Sequence, residues 1–255
     1  MKKALSFFFI FAALQLLTSF AAAGVAAVLH FDAQQVWVHI ASLFISSVIT
    51  GALFLRLGWC QVSPHYLRTR PWGVFIWSGL LALGLIIPSA WLQEMMPPLP
   101  NIIQEQLTAV LRHPLGFVAV GLLAPLIEEI VFRGAILRAL LHQFSKAWVA
   151  ILLSALFFAL IHANPAQMPH AFAVGLLLGW MYWRTSSILP GMAYHFVNNA
   201  VAYVMANIVA DPNAPLIMYF GGSTTLELQA VLFSLCIALP ALYQLWRLFQ
   251  VSAVK

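Results

Sequence analysis

The chain has 255 residues, of which 63% are hydrophobic and 7% charged, and a mean hydropathy of +0.93. An ordinary soluble domain carries about 25% charged residues, so the composition excludes a water-soluble globule and makes lipid the solvent. The formal net charge of +5 comes from only 12 basic residues scattered among short connections; this excludes a nucleic-acid partner and reads as an orientation signal.

Apolar segments follow one another at roughly 4–29, 36–57, 72–92, 116–141, 147–163, 168–184, 188–210 and 228–250, each near the roughly 20 residues that carry a helix across about 30 Å of hydrocarbon. The fifth and sixth are short and need tilt or broken ends. The expected fold is all-α: a polytopic membrane helical bundle of about eight transmembrane helices, forming a single membrane-embedded domain over 1–255. The first segment opens MKKALSFFFIFAALQLL. Its apolar stretch outruns a usual signal core, so it is expected to stay as a membrane helix.

Lys2, Lys3, Arg56, Arg68, Arg70, Arg138, Lys146, Arg184, Arg247 and Lys255 alternate with the segments so that all fall on one side. Asp32, Glu94, Glu105, Asp211 and Glu227 fall on the other, with Arg112 against the trend. The positive-inside rule then puts both termini in the cytoplasm and favours an even number of spans. The MPPLPNIIQEQ stretch reads as a loop or an interfacial helix. Cys60 and Cys236 are far apart and read as small buried residues rather than a disulfide or a metal site.

The fourth segment contains GFVAVGLLAPLIEEIVFRGAILRALL, with Glu128, Glu129 and Arg133 inside it. Ionisable groups in hydrocarbon are costly unless paired, so function is sought here first. Glu129 and Arg133, four apart, can pair on one face. Glu128 is rotated by about 100° on a helix and is left for chemistry. Pro125 frees a carbonyl and Gly134 permits close approach, so this section is expected to be distorted and closely packed.

Polar groups also converge from two later segments. FFALIHANPA places Phe158 and His162 four apart, and LPGMAYHFVNNA does the same for His195 and Asn199. His170, Asn164 and Asn198 read as candidates for a supporting role, and the remaining five histidines as interfacial or locally bonded. With straight helices, Glu128, His162 and His195 lie at different depths. Irregular backbone around Pro125, Pro165, Pro190 and Gly191 would have to bring them together.

Two chemistries fit this set. A carboxylate beside a histidine can take a proton from a water that attacks a peptide carbonyl, while His195 and Asn199 present donors to the oxyanion. Alternatively Glu128, His162 and His195 offer two imidazoles and a carboxylate to Zn2+ with an open position for water. EExxxR lacks the close histidine pair of an HExxH site, and spacing alone does not decide. The competing readings are a catalytically silent membrane scaffold and a proton-coupled transporter using the same polar residues.

EEIVFR at Glu128 to Arg133, FALIH at Phe158 to His162 and HFVNN from His195 to Asn199 resemble, in type and order, the CAAX-processing and bacteriocin-processing (CPBP, or Abi) intramembrane proteases, the type II CAAX endopeptidase family. The resemblance covers roughly residues 116–204 as a catalytic core. It implies that Glu128 activates water, that His162 helps hold it, that His195 and Asn199 stabilise the oxyanion, and that Glu129, Arg133 and Phe158 support the site. It further implies a glutamate-dependent endopeptidase acting on a membrane-associated protein or peptide. Such an enzyme does not require a protein-bound metal, although family members were long described as metalloproteases and Zn2+ stays open as a cofactor. Short loops and the charge pattern resemble a multi-pass bacterial inner-membrane protein, in which a prenylated substrate is unexpected.

Overall fold

In hydrocarbon a backbone has no hydrogen-bonding partner except itself, so long apolar runs become helices that end where Pro, Gly or charged residues cluster. The computed structural model describes residues 1–32, 35–211 and 214–252, and every regular element among them is helical. Lys255 lies outside the described residues. In chain order the elements are α1 (Lys2–Val28), α2 (Val36–Arg56), the short α3 (Pro64–Thr69), α4 (Trp72–Glu94) and α5 (Gln104–Arg112). There follow α6 (Phe117–Leu141), α7 (Ala147–Ile161), α8 (Met168–Thr185), α9 (Leu189–Ile208), a 3-10 turn at Leu216–Phe220, and α10 (Thr224–Ser252).

The expectation of about eight transmembrane helices is corrected. Four helices are long and apolar enough to cross a membrane, namely α1, α2, α4 and Thr224–Gln250 of α10, with a fifth if α5 and α6 count as one bent span. Length removes α7: its 15 residues reach only about 22 Å. Composition removes α8 and α9. The first carries His170 and Arg184, and the second carries His195, Asn198, Asn199 and Asn207, which dilute the hydropathy that lipid contact demands. Each of the three keeps exposed apolar side chains, Trp148 and Leu160 on α7, Trp183 on α8 and Val204 and Ile208 on α9, while polar residues such as Ser154, His195 and Asn199 turn to protein partners.

α6 is the central element. It is π-helical at Phe117–Leu123 and at Glu129–Leu137, with an α-helical turn at Ala124–Glu128 between them. Pro125 starts that turn and donates no backbone hydrogen bond, so the wider π winding absorbs the interruption, a feature frequent at functional sites. Between α5 and α6 the chain bends by 101°. Gly116 makes the bend: a Cβ there would overlap the Val110 carbonyl oxygen. Phe132 then stacks edge-on against Phe11 of α1 at 5.7 Å and against Phe158 of α7 at 5.2 Å.

Small residues set the other helix contacts, as expected where apolar side chains gain nothing by leaving lipid. Gly175 of α8 meets Ala155 of α7, and Gly84 of α4 meets Ala238 of α10. Arg112, the basic residue on the acidic side, donates to the carbonyls of Ala206 and Ala210 at 3.2 and 3.1 Å and so closes the end of α9, where a cation complements the helix dipole. Cys60 is buried as expected, whereas Cys236 is exposed on α10.

A Cβ on Gly84 would lie 2.6 Å from the Ala238 backbone nitrogen, so α4 and α10 must separate to admit one. Gly84→Ala is expected to lower stability in detergent by about 1–3 kcal/mol, the usual range for overpacking. An unchanged unfolding midpoint would mean that the two helices do not touch at this point.

Candidate active site

Glu129 and Arg133 are both 0% exposed. Arg133 Nη1 lies 2.8 Å from Glu129 Oε1, and Nη2 donates to the Gly175 carbonyl at 3.3 Å. The guanidinium carbon sits 4.4 Å from the Phe158 ring centroid, a cation–π contact. The close Nη1 approach is an ion pair without hydrogen-bond alignment, and Glu129 Oε2 has no hydrogen-bond partner among the described residues. That oxygen faces Gly191 in the first turn of α9, where a Cβ would come within 2.6 Å. The absent side chain leaves the carboxylate beside the positive end of a helix.

His195 joins the two glutamates. Its Nδ1 is 3.3 Å from Glu129 Oε1 and its Nε2 is 3.5 Å from Glu128 Oε2. Glu129 is sealed, while the Glu128 side chain keeps 17% of its exposure, so the adjacent acids occupy different environments. Phe158 is the common wall: its ring meets His162 at 5.1 Å and His195 at 5.6 Å, both edge-on. The two imidazoles therefore meet at one aromatic ring, where straight helices would leave them apart.

His162 is oriented by the backbone. Its Nδ1 is 2.8 Å from the Phe158 carbonyl oxygen, which can only accept. Nδ1 thus carries the hydrogen, and in the neutral ring Nε2 keeps its lone pair. Two residues on, fully buried Asn164 accepts from the Ile102 backbone N–H at 3.0 Å and donates to Asn101 Oδ1 at 2.9 Å. The connection before α5 is thereby tied to the turn that carries His162. His170 of α8 lies within electrostatic reach of His162 and His195.

Asn199 stands apart. Its amide donates to the Val120 carbonyl at 3.0 Å, and Asn198 donates to its Oδ1 at 3.3 Å. Those bonds hold α9 against the first π segment, and no hydrogen bond joins Asn199 to the acidic pair. Sequence spacing gave no sign of the backbone groups that complete the site, the carbonyls of Gly175, Phe158 and Val120. Cys60 closes the wall behind Gly134, where a Cβ would overlap its sulfur. Burial, above all, pushes the Cys60 thiol up to about 11, against a lowering influence from Arg138, so this is packing and not a nucleophile.

Metal ligation is the other role the sequence leaves open for Glu128, His162 and His195. Among the described residues no three His, Cys, Asp or Glu side chains gather as a metal-holding group. His195 turns both nitrogens to carboxylates, so of the two imidazoles only His162 keeps a free nitrogen, its Nε2. The residues as folded do not fit a three-ligand zinc centre.

Comparison with known proteins places this cluster inside the matched region. The family model described as type II CAAX prenyl endopeptidase Rce1-like matches residues 111–201. The putative membrane peptidase YdiL of Bacillus subtilis (strain 168) is 28% identical over 102 residues, covering 40% of this chain and 41% of that protein. The alignment thus spans about two-fifths of the relative's length. No solved structure matches the chain.

The buried pair can be tested without an activity assay. Arg133→Met strands Glu129 as a lone buried charge and is expected to cost about 3–5 kcal/mol, whereas Glu129→Gln with Arg133→Met should recover much of that loss. Unfolding midpoints of the single and double variants give the coupling. Additive losses would show that the two charges do not depend on each other.

Proposed function

Because the chain belongs to the CPBP family of Rce1-type CAAX endopeptidases, we propose that it is an intramembrane endopeptidase that hydrolyses a peptide bond in a membrane-associated protein or peptide. The observation that carries the reading is the unequal pair of acids. Glu129 is sealed and neutralised by Arg133, while Glu128 stays partly open beside His195. One carboxylate holds the architecture and the other is available for proton transfer.

In the proposed reaction a water donates one hydrogen bond to Glu128 and the other to His162 Nε2, the nitrogen left as acceptor by the Phe158 carbonyl. Held by two acceptors, the water turns a lone pair toward the substrate carbonyl. Its oxygen attacks the carbonyl carbon as Glu128 takes the proton, and the charge developing on the carbonyl oxygen meets the second amide hydrogen of Asn199 and His195 Nε2, once that nitrogen turns from Glu128 to the substrate. Collapse of the tetrahedral species breaks the C–N bond, and Glu128 returns its proton to the leaving amine. Protein groups and water complete this sequence without a cofactor. Asn199 would have to move toward the acidic pair as substrate enters, since its present bonds run to Val120 and Asn198.

The multi-pass helical architecture supports a substrate that arrives through or along lipid. The basic ends of α1, α2, α6, α8 and α10 support a cytoplasmic placement of both termini in a bacterial inner membrane. The test compares protein fragments in isogenic membranes containing wild type or Glu128→Gln at matched levels. Glu128→Gln is nearly isosteric and is expected to cut the rate by about 10²–10⁴, the usual contribution of a general base. His162→Ala should fall in the same direction with its unfolding midpoint retained. Identical fragment profiles for wild type and Glu128→Gln would overturn the proposal.

A further inference from the structure

At the opposite end of α6 from the bend lies a polar concavity of about 320 Å3, lined by Gln61, Ser63, Arg138, Leu141, His142, Tyr182 and Ser186. Its volume falls at the lower edge of the roughly 300–1,000 Å3 typical of small-molecule sites. Six of its seven lining residues are polar, and none is a carboxylate. Half-buried Arg138 forms no ion pair with a carboxylate among the described residues. A guanidinium retained there without a counter-ion, facing an imidazole, hydroxyls and an amide, is an arrangement suited to a tetrahedral oxyanion.

The walls are built from separate parts of the chain. Ser63 donates to the Ser186 carbonyl at 3.0 Å and so fastens the α2–α3 connection to the end of α8. Ser186 itself adopts a left-handed conformation with φ 50° and turns the chain away from that helix. The cavity also sits at the basic end of the bundle. Arg56 ends α2, Arg68 lies on α3, Lys146 precedes α7 and Arg184 lies in the last turn of α8. Trp72, Trp148 and Trp183 are exposed near the same ends, as aromatic residues are at a membrane–water interface.

We propose that this cavity binds the phosphate of an anionic phospholipid headgroup, with Arg138 as its principal charge and Tyr182, Ser186, His142 and Gln61 as surrounding donors. Position selects the lipid over a free anion: basic pockets between helices at this face meet headgroups at high local concentration. Since Arg138 lies on the same helix as Glu128 and Glu129, an occupied site would brace the end of α6 that the acidic pair depends on.

The purified full chain in neutral detergent is titrated with phosphatidylglycerol, phosphatidylcholine or inorganic phosphate, with bound lipid read by native mass spectrometry and stability by Tm. Phosphatidylglycerol is expected to bind and raise Tm more than phosphatidylcholine does. Arg138→Gln should weaken it by about tenfold, the size of one charge-assisted hydrogen bond. Gln61→Glu, which brings a carboxylate to the rim, should weaken it too, and decides the matter alone if Arg138→Gln does not fold. Protection by inorganic phosphate alone, lost in the same variants, would keep the anion site and overturn the lipid as its source. No binding to wild type, or equal binding to wild type and the folded variants, would overturn the site itself. The experiment reads no proteolysis, so its result is independent of the proposed function.

Discussion

The burial of Glu129 with Arg133 is the constraint to which the rest of the site answers. A carboxylate and a guanidinium that are both fully enclosed need each other and further polar contacts, because the desolvation of each ion exceeds what a single contact returns, and even so Glu129 Oε2 and Arg133 Nε have no hydrogen-bond partner among the described residues. The surroundings follow from that demand. Gly175 offers a carbonyl to Arg133, Phe158 offers a ring face, and Gly191 leaves open the space that Glu129 Oε2 occupies. Gly134 lets the same stretch of α6 press against Cys60. Four helices are locked in position around one ion pair, and the π winding of Glu129–Leu137 belongs to that arrangement.

Once the pair is fixed, Glu128 is defined by contrast. It is the neighbouring residue on the same backbone, yet it keeps partial exposure and meets His195 through the nitrogen that does not face Glu129. The imidazole thus senses both acids. One ring fixes the spacing between a sealed carboxylate and a partly open one.

Much of this site is legible in the sequence because its charged residues have no bland alternative in an apolar chain. The EExxxR spacing predicts the Glu129–Arg133 pair, and the four-residue intervals from Phe158 to His162 and from His195 to Asn199 pick out the helices that converge on it. Other features are hidden for physical reasons. Backbone carbonyls carry no sequence signature, so the partners of Arg133, His162 and Asn199 appear only in three dimensions. The count of membrane-crossing helices is overestimated from apolar runs because such runs do not register the 15-residue length of α7 or the polar residues that dilute α8 and α9. Arg112 looks like an exception to the charge pattern until its bonds to the end of α9 account for it.

The shortness of α7 connects the architecture with chemistry. The proposed hydrolysis inside a membrane would need water at a place that lipid keeps dry, and a helix of 15 residues ends well before a full hydrocarbon thickness of about 30 Å. His162 stands at that end, half-buried, followed by Ala163 in a left-handed conformation with φ 49° and by the buried Asn164. Asn164 does not face lipid. It uses its amide to hold Asn101 and Ile102, while Ala166 donates to the Pro100 carbonyl at 3.1 Å and accepts from Gln93 at 2.9 Å. Polar backbone that would be intolerable in hydrocarbon is therefore satisfied within the protein. A helix that stops early leaves His162 at its end, and the asparagine clamp satisfies the polar backbone of the turn beyond it.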